Sequence, residues 1–246
     1  MTNTEDKQAE LFEHLAELRT RLIRSLIYLV IGTTIAWFLY DSLFVLLTHP
    51  MTAILEKQQS KFLLTSFPEA FMIQMQVCII AGLIITAPLL TLELWGFVSP
   101  GLTREEKRPI KWVAPLTVLL FACGVVLCYY ILPAGFSWFI SYVPKNAELR
   151  PSVQGSILFT VKMLFAFGVV FELPVLLMLM AKMGIVDSRF LIKNWRAAMV
   201  GVSIVAAVAT PSNDAFSMLM MAVPVAVLYF LSIALVRVVE GKRNKY

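Results

Sequence analysis

Two groups of carboxylates stand beside basic residues at the edges of apolar segments. One is Glu17, and the other is the adjacent pair Glu105 and Glu106. Each group has a local explanation. Glu17 is spaced for an i,i+4 ion pair with Arg21, whereas Glu105 and Glu106 suit the first turn of a helix or pairs with the two basic residues that follow. The spacing alone therefore favours local ion pairs and leaves binding of an external cationic ligand as the alternative.

A further carboxylate, Glu172, lies inside an apolar run, ten residues after Lys162. A charge at the centre of a bilayer costs on the order of 3 kcal/mol, so we expect Glu172 to face a cavity or a polar partner. Ten helical residues span about 15 Å, which makes a direct pair with Lys162 improbable on geometric grounds. Two roles stay open for Glu172: a hydrogen bond to a neighbouring helix end, or passage of substrate or protons.

Catalytic and metal-binding constellations are missing from the sequence. There are only two histidines, His14 and His49, and no HExxH, GxSxG or P-loop motif occurs. The three cysteines all lie in apolar runs without CxxC spacing, which favours packing roles over a disulfide or metal site. We therefore predict that the protein is not an enzyme and holds no metal or cofactor.

The elements that must position these residues are membrane-spanning helices. The chain is 59% hydrophobic and 15% charged, with a mean hydropathy of +0.79, which excludes an ordinary soluble domain. A crossing needs about 20 apolar residues, and a backbone in lipid must bond to itself, so each run is expected to be helical. The runs are residues 25–40, 70–92, 112–144, 151–181, 197–213 and 215–236. We predict an all-α integral membrane protein with six transmembrane helices in one domain, 1–246.

Basic residues are distributed unevenly between the two sides of this pattern. Of the 21 lysines and arginines, 16 fall in alternate segments that include both termini, four fall in the others, and Lys162 lies within a helix. The positive-inside rule places both termini in the cytoplasm. The net charge of +5 is accounted for by this bias rather than by nucleic-acid binding. The polar, acidic first 20 residues argue against a cleavable signal peptide.

Three features shape the expected bundle. Residues 9–24 carry leucines at spacings of four and three, which predicts an amphipathic helix along the membrane surface leading into the first crossing. Proline at position 211 leaves the fifth crossing about 14 residues, so we predict short fifth and sixth helices, with residues 212–214 capping the sixth. Prolines inside the apolar runs predict kinked helices; they are Pro88, Pro115, Pro133, Pro174 and Pro224.

Blocks of sequence in a fixed order resemble the TatC family of the twin-arginine protein translocase. The blocks are HLAELRTRL at 14–22, Pro50 in the first external loop, WGFVSPGL at 95–102 with EKR at 106–108, FGVVFELP at 167–174, and TPSNDAF at 210–216, which includes Asp214. They span nearly the whole chain together with the six-helix pattern, so the chain is identified as a member of that family.

The resemblance implies a receptor for signal peptides that carry two consecutive arginines, and export of folded proteins with the protonmotive force. It implies a binding surface at Glu17, Arg19, Phe97 and Glu106, with the adjacent Glu105 as an alternative counter-ion. Carboxylates suit this role because a guanidinium binds them through two parallel hydrogen bonds. The implied partners are single-span TatA and TatB subunits, further copies of this chain and membrane lipid. The implied location is the prokaryotic cytoplasmic membrane.

Two other functions compete with this interpretation. A proton- or ion-coupled small-solute transporter would use Glu172 and Lys162, but the sequence has neither a visible repeat nor a second acid within a crossing. An intramembrane hydrolase would need a nucleophile and a base, and no such pair is apparent.

Overall fold

The fold is that of a computed structural model, which describes residues 2–57, 62–64, 66–98, 110–144, 150–210 and 214–243. Almost all of these residues are helical. The helices within these ranges are α1 (Thr2–Phe38), α2 (Tyr40–Lys57), α3 (Phe67–Val98), α4 (Ile110–Ser141), α5 (Val153–Val170), α6 (Leu173–Lys182), α7 (Ser188–Lys193), α8 (Trp195–Ala209) and α9 (Ala215–Arg243).

Five apolar spans are long enough to cross a membrane, and α8 is a shorter apolar helix of 15 residues. The long spans lie in α1, α3, α4, the α5–α6 pair and α9. Together with α8 they give the six crossings predicted from the uncharged runs. An even number of crossings places both ends of the chain on the same side of the membrane.

The N-terminal amphipathic stretch is helical, as predicted, and runs into the first crossing. It belongs to α1, which is continuous over 37 residues, about 55 Å at helical rise. No proline or glycine interrupts the stretch between residues 9 and 24, so the helix has no reason to break before it enters the crossing. Leu15 and Leu22 of its apolar stripe are 57% and 68% exposed, and therefore face the surroundings of the chain.

The fifth crossing is short, as predicted. Helix α8 spans about 22 Å, whereas the hydrocarbon core is about 30 Å thick. It ends because Thr210 is extended, with ψ at 128°, as expected for a residue that precedes proline. The sixth helix is longer than expected: α9 has 29 residues, although its apolar part, Ala215–Arg237, has 23 and is the shortest of the long spans. Helix α9 gains this length by continuing beyond Arg237 into the polar tail.

The two residues that the sequence assigned to external loops, Pro50 and Asp214, lie in different local structures. Asp214 caps α9, because the backbone N–H and hydroxyl of Ser217 donate to its carboxylate at 2.8 and 2.7 Å. Pro50 does not lie in a loop: it is buried inside α2, which occupies most of the segment after the first crossing. The chain continues as a helix through Pro50. Among the prolines within described helices, Pro174 is the one beside which a crossing is interrupted, at the break between α5 and α6.

Glycines allow α1 and α3 to approach each other closely. At the crossing of α1 and α3, a Cβ added to Gly82 would lie 2.6 Å from the backbone nitrogen of Thr33. A Cβ added to Gly32 would lie 2.5 Å from Thr86 Cγ2 and 2.9 Å from the Gly82 carbonyl oxygen. Side chains larger than hydrogen would hold the helices apart at this point. Glycine therefore sets the distance between α1 and α3, as small residues often do in membrane helix pairs.

The centre of the bundle forms around α5, which packs against α3 and α4. Ile157 and Phe167 are fully enclosed there. Close contact with α4 again depends on glycine, because a Cβ on Gly124 would lie 2.7 Å from the Phe167 carbonyl oxygen.

Candidate functional site

The N-terminal half of α1 and the C-terminal end of α3 bring two carboxylates to one guanidinium. Arg21 donates from Nη2 to Glu17 Oε1 at 2.6 Å and from Nε to the same oxygen at 3.0 Å. Its Nη1 donates to Glu93 Oε2 on α3 at 3.2 Å. The hydroxyl of Tyr28 lies 3.4 Å from the other Glu93 oxygen. Arg21 thus links two helices through carboxylates 76 positions apart in the sequence.

Local helix geometry prepares this cluster. Glu17 and Arg21 are one turn apart on α1, where i,i+4 side chains meet with the acid on the N-terminal side of the base. On α3, Glu93 is likewise one turn before Phe97. Gly96 makes room for the guanidinium, because a Cβ at that position would lie 2.0 Å from Arg21 Nη1.

A cleft of about 380 Å³ lies against the cluster. Arg21, Glu93 and Phe97 line it together with apolar residues of both helices, which are Leu18, Leu22, Leu90 and Leu94. His14 stacks on the Phe97 ring with centroids 4.3 Å apart and an interplanar angle of 24°. The aromatic ring is therefore held beside the charged groups by α1, and the cleft offers an ionic end and an apolar wall.

The cluster carries an excess of negative charge. Two carboxylates surround one guanidinium, so the three side chains carry a formal charge of −1. The side chains of Glu17, Arg21 and Glu93 are 30%, 23% and 13% exposed, so water screens them only in part. Within the described part of the chain, Glu17 Oε2 makes no hydrogen bond, so Glu17 retains acceptor capacity. The arrangement can attract and bind one more cationic group.

The residues implied by the family resemblance are brought together only in part. Glu17 is ion-paired with Arg21, and Phe97 lines the cleft beside Arg21 and stacks on His14. Arg19 is exposed on another face of α1, since two residues turn a helix by about 200°. Glu105 and Glu106 lie outside the described residues.

Two members of the cluster, Arg21 as a bridge and Glu93 as its second carboxylate, were not among the expected site residues. The i,i+4 spacing of Glu17 and Arg21 was visible in the sequence and is confirmed as an ion pair. Glu93 could have been noticed because it is the one charge that ends a run of 23 uncharged residues, one turn before Phe97. Its contact with Arg21 could not be deduced from that spacing.

The intramembrane carboxylate is enclosed by the bundle. Glu172 occupies the break between α5 and α6, and the Thr117 hydroxyl of α4 faces it. Among the described residues, neither oxygen of the Glu172 carboxyl nor the Thr117 hydroxyl completes a hydrogen bond. The hydrogen bond from Glu172 to a neighbouring helix end, one of the two roles left open by the sequence, is therefore not formed with any described residue. Lys162 is exposed on α5 and forms no ion pair with a described residue, so the two intramembrane charges are separate.

The described residues contain no group of three or more histidine, cysteine or acidic side chains that would hold a metal ion.

Comparison with known proteins gives one consistent result. The family model described as "Sec-independent protein translocase protein (TatC)" matches residues 13–224. A TatC from Desulforapulum autotrophicum is 40% identical over 98% of this chain and 88% of its own length. A TatC from Carboxydothermus hydrogenoformans is 34% identical, covering 97% of each chain.

Solved structures agree in the fold. A crystal structure of the twin-arginine translocase receptor TatC superposes with a TM-score of 0.79 at 29% identity, covering 90% of this chain and 98% of that one. A second crystal structure of the receptor gives a TM-score of 0.78 at 30% identity, over 92% and 99% of the two chains.

These matches extend over nearly the whole length of the chain and include both helices of the cluster. They support protein transport, which confirms the prediction of a non-enzymatic protein, and they give no support to a small-solute transporter. The chain belongs to the TatC family of Sec-independent protein translocases.

Proposed function

We propose that this chain is the receptor subunit that binds twin-arginine signal peptides, and that the α1–α3 cleft is part of the binding site. The observation that carries the proposal is the position of Arg21, which is ion-paired with two carboxylates. A guanidinium already lies between Glu17 and Glu93, at 2.6 and 3.2 Å, so the local geometry suits arginine. The guanidinium donates from three nitrogens in one plane, two of them to Glu17 Oε1 and one to Glu93 Oε2, and a lysine ammonium cannot reproduce that planar set of donors.

Charge balance indicates how many arginines this cluster accepts. The resident guanidinium leaves one negative charge unmatched, so one arginine of the signal peptide would neutralise the cluster. The second arginine needs another carboxylate, and Glu106 or the adjacent Glu105 is the one implied by the family resemblance. If each charge-assisted contact contributes about 1.5–3 kcal/mol, two contacts amount to about 3–6 kcal/mol, or about 10²- to 10⁴-fold in affinity.

The apolar wall of the cleft provides a second kind of recognition. Leu18, Leu22 and Leu94 are 43%, 68% and 60% exposed. Leu22 and Leu90 lie on the side of the ionic cluster that leads into the apolar part of the two helices, whereas Leu18 and Leu94 flank the cluster. A peptide with arginines followed by an apolar segment would match this order of surfaces. Phe97 would contact the peptide close to its arginines.

Orientation and location follow from the charge pattern. The side of the membrane that holds both termini also carries 16 of the 21 lysines and arginines, and the positive-inside rule assigns that side to the cytoplasm. The cluster on α1 and α3 lies on this side, where a newly made precursor would meet it. We place the protein in the prokaryotic cytoplasmic membrane.

Export would require partners. We propose that single-span subunits of the TatA and TatB kind, and further copies of this chain, complete the complex, and that the protonmotive force drives it. The short α8 supports this part of the proposal. A helix about 8 Å shorter than the hydrocarbon core must thin the bilayer or be covered by protein.

Photo-crosslinking of a signal peptide tests the site directly. A peptide bearing Arg-Arg should crosslink to the wild type, and one bearing Lys-Lys should not. Glu17→Gln and Glu93→Gln should each lower the Arg-Arg yield about tenfold, because each replacement removes one charge-assisted contact. Glu106→Gln should do the same if it binds the second arginine.

Glu56→Gln is the matched control. Glu56 is an exposed glutamate on α2, after the first crossing and therefore on the opposite side of the membrane from the cluster, so its replacement should leave the yield unchanged. Wild-type crosslinking in Glu17→Gln and Glu93→Gln, with retained discrimination against Lys-Lys, would exclude this cleft as the receptor site.

A further inference from the structure

A second cleft, of about 530 Å³, lies between α9 and the junction of α7 with α8. It is near the end of α9 that extends towards the C-terminus, so it lies on the same side of the membrane as the signal-peptide cluster but on different helices. Its walls are mostly apolar, with one arginine among them. The lining residues are Ile192, Trp195, Phe230, Ile233, Ala234 and Arg237.

The residues of α9 that line the cleft follow one another along the helix axis. Phe230, Ile233 and Arg237 follow one another at spacings of three and four, so they share one face of the helix. Seven residues separate Phe230 from Arg237, which corresponds to about 10.5 Å of helix. The cleft therefore has a cationic group at the aqueous end and aromatic and aliphatic side chains extending into the hydrocarbon region.

Two guanidinium groups are available at that end. Arg237 is exposed, and the guanidinium carbon of Arg196 lies 5.7 Å from the centre of the Trp195 ring. Neither arginine forms a salt bridge with another residue in the described ranges. Arg196 does not line the cleft itself, but it lies beside Trp195, which does, and tryptophan is enriched at membrane interfaces.

We infer that this cleft binds an anionic phospholipid, with the headgroup phosphate at Arg237 and Arg196 and an acyl chain along Phe230 and Ile233. Charge complementarity supports the headgroup, and the apolar lining supports the chain. A protein helix suits the space less well, because one turn of an α-helix about 10–12 Å across occupies about 420–610 Å³. The cleft would thus enclose about one turn of a helix, whereas a flexible chain can follow its whole length.

The inference is independent of signal-peptide binding and can be tested on purified full-length protein. Lipid-free protein in detergent is titrated with phosphatidylglycerol or phosphatidylcholine of identical acyl chains, and bound lipid is counted by native mass spectrometry. The wild type should prefer phosphatidylglycerol. Arg237→Gln should reduce that preference about fivefold, since one basic residue near a membrane surface contributes about that much towards an anionic lipid.

Three variants make the result specific. Arg237→Lys keeps the charge and should keep most of the preference, which separates lost charge from lost folding. Ala234→Trp fills the apolar part of the cleft and should reduce binding of both lipids. Arg189→Gln removes an exposed cation of α7 that does not line the cleft, and should behave as the wild type.

Three kinds of result would overturn the inference. The first is an unchanged lipid preference in Arg237→Gln, or an equal loss in Arg189→Gln. The second is displacement of the lipid by millimolar inorganic phosphate, which would mean that the arginines bind a free anion and the apolar wall contributes nothing. Crosslinking from Ala234→Cys to a partner protein in place of lipid would also contradict it.

Discussion

Substitution of Gly82, at the contact between α1 and α3, tests how the receptor cluster is held together. In Gly82→Ala the new Cβ would lie 2.6 Å from the backbone nitrogen of Thr33 and 2.8 Å from its Cα. These are backbone atoms, so no side-chain rotation relieves the overlap. The helices must move apart by about 0.8 Å to reach an ordinary contact of 3.4 Å.

Two effects of opposite sign decide the outcome. Replacing glycine by alanine inside a helix stabilises it by up to about 1 kcal/mol. Overpacking a tight contact costs about 1–3 kcal/mol. With the full propensity gain the net is about 0–2 kcal/mol, so we expect Gly82→Ala to lower the free energy of unfolding by up to about 2 kcal/mol. The same displacement would stretch the 3.2 Å bond between Arg21 and Glu93 and weaken peptide binding at the cluster.

Gly201→Ala is the matched control for this substitution. Gly201 lies in α8, and an added Cβ there meets no atom within 4 Å. Its replacement should therefore leave stability unchanged or raise it slightly. Both variants can be compared by unfolding in detergent mixtures, with retention of an engineered crosslink between α1 and α3 as a second measurement. A Gly82→Ala protein as stable as Gly201→Ala, with the crosslink intact, would refute the proposed role of this glycine.

Three further predictions concern other parts of the chain. Glu240→Ala should lower the unfolding free energy by about 1–3 kcal/mol, measured by the same unfolding assay, because it leaves the Ser188 N–H and hydroxyl without the carboxylate that accepts both. Glu172→Gln should slow export of a folded reporter without weakening peptide crosslinking, whereas Lys162→Gln, at an exposed site, should change neither; full export in Glu172→Gln would reduce Glu172 to a packing role. Insertion of one apolar turn into α8, which adds about 5.4 Å, should impair export by reducing the mismatch with the bilayer from about 8 Å to about 3 Å, and unimpaired export would contradict a role for the short helix.

The sequence determined the class of the protein and much of its local structure. Uncharged runs identify the crossings because lipid excludes charge, and this physical rule needs no knowledge of which helix lies beside which. The proline at position 211 ends α8, and Asp214 caps α9, through contacts within one turn. The pair of Glu17 and Arg21 is equally local.

The sequence interpretation was correct for residues 9–24, which form a helix that runs into the first crossing as part of α1, and it failed at Pro50. Pro50 was assigned to a loop, yet it is buried within α2. A polar segment and a proline both favour interruption on average, and the packing of neighbouring helices can outweigh either preference.

Only the tertiary structure decided which distant residues meet. Glu93 reaches Arg21 because α1 and α3 cross at two glycines, and this sets both the separation and the rotation of the helices. The same packing turns Glu172 inward and Lys162 outward on one crossing. Hydropathy reports that a helix enters the membrane, but the direction of each side chain depends on the shape of the helix opposite, which lies dozens of residues away in the sequence.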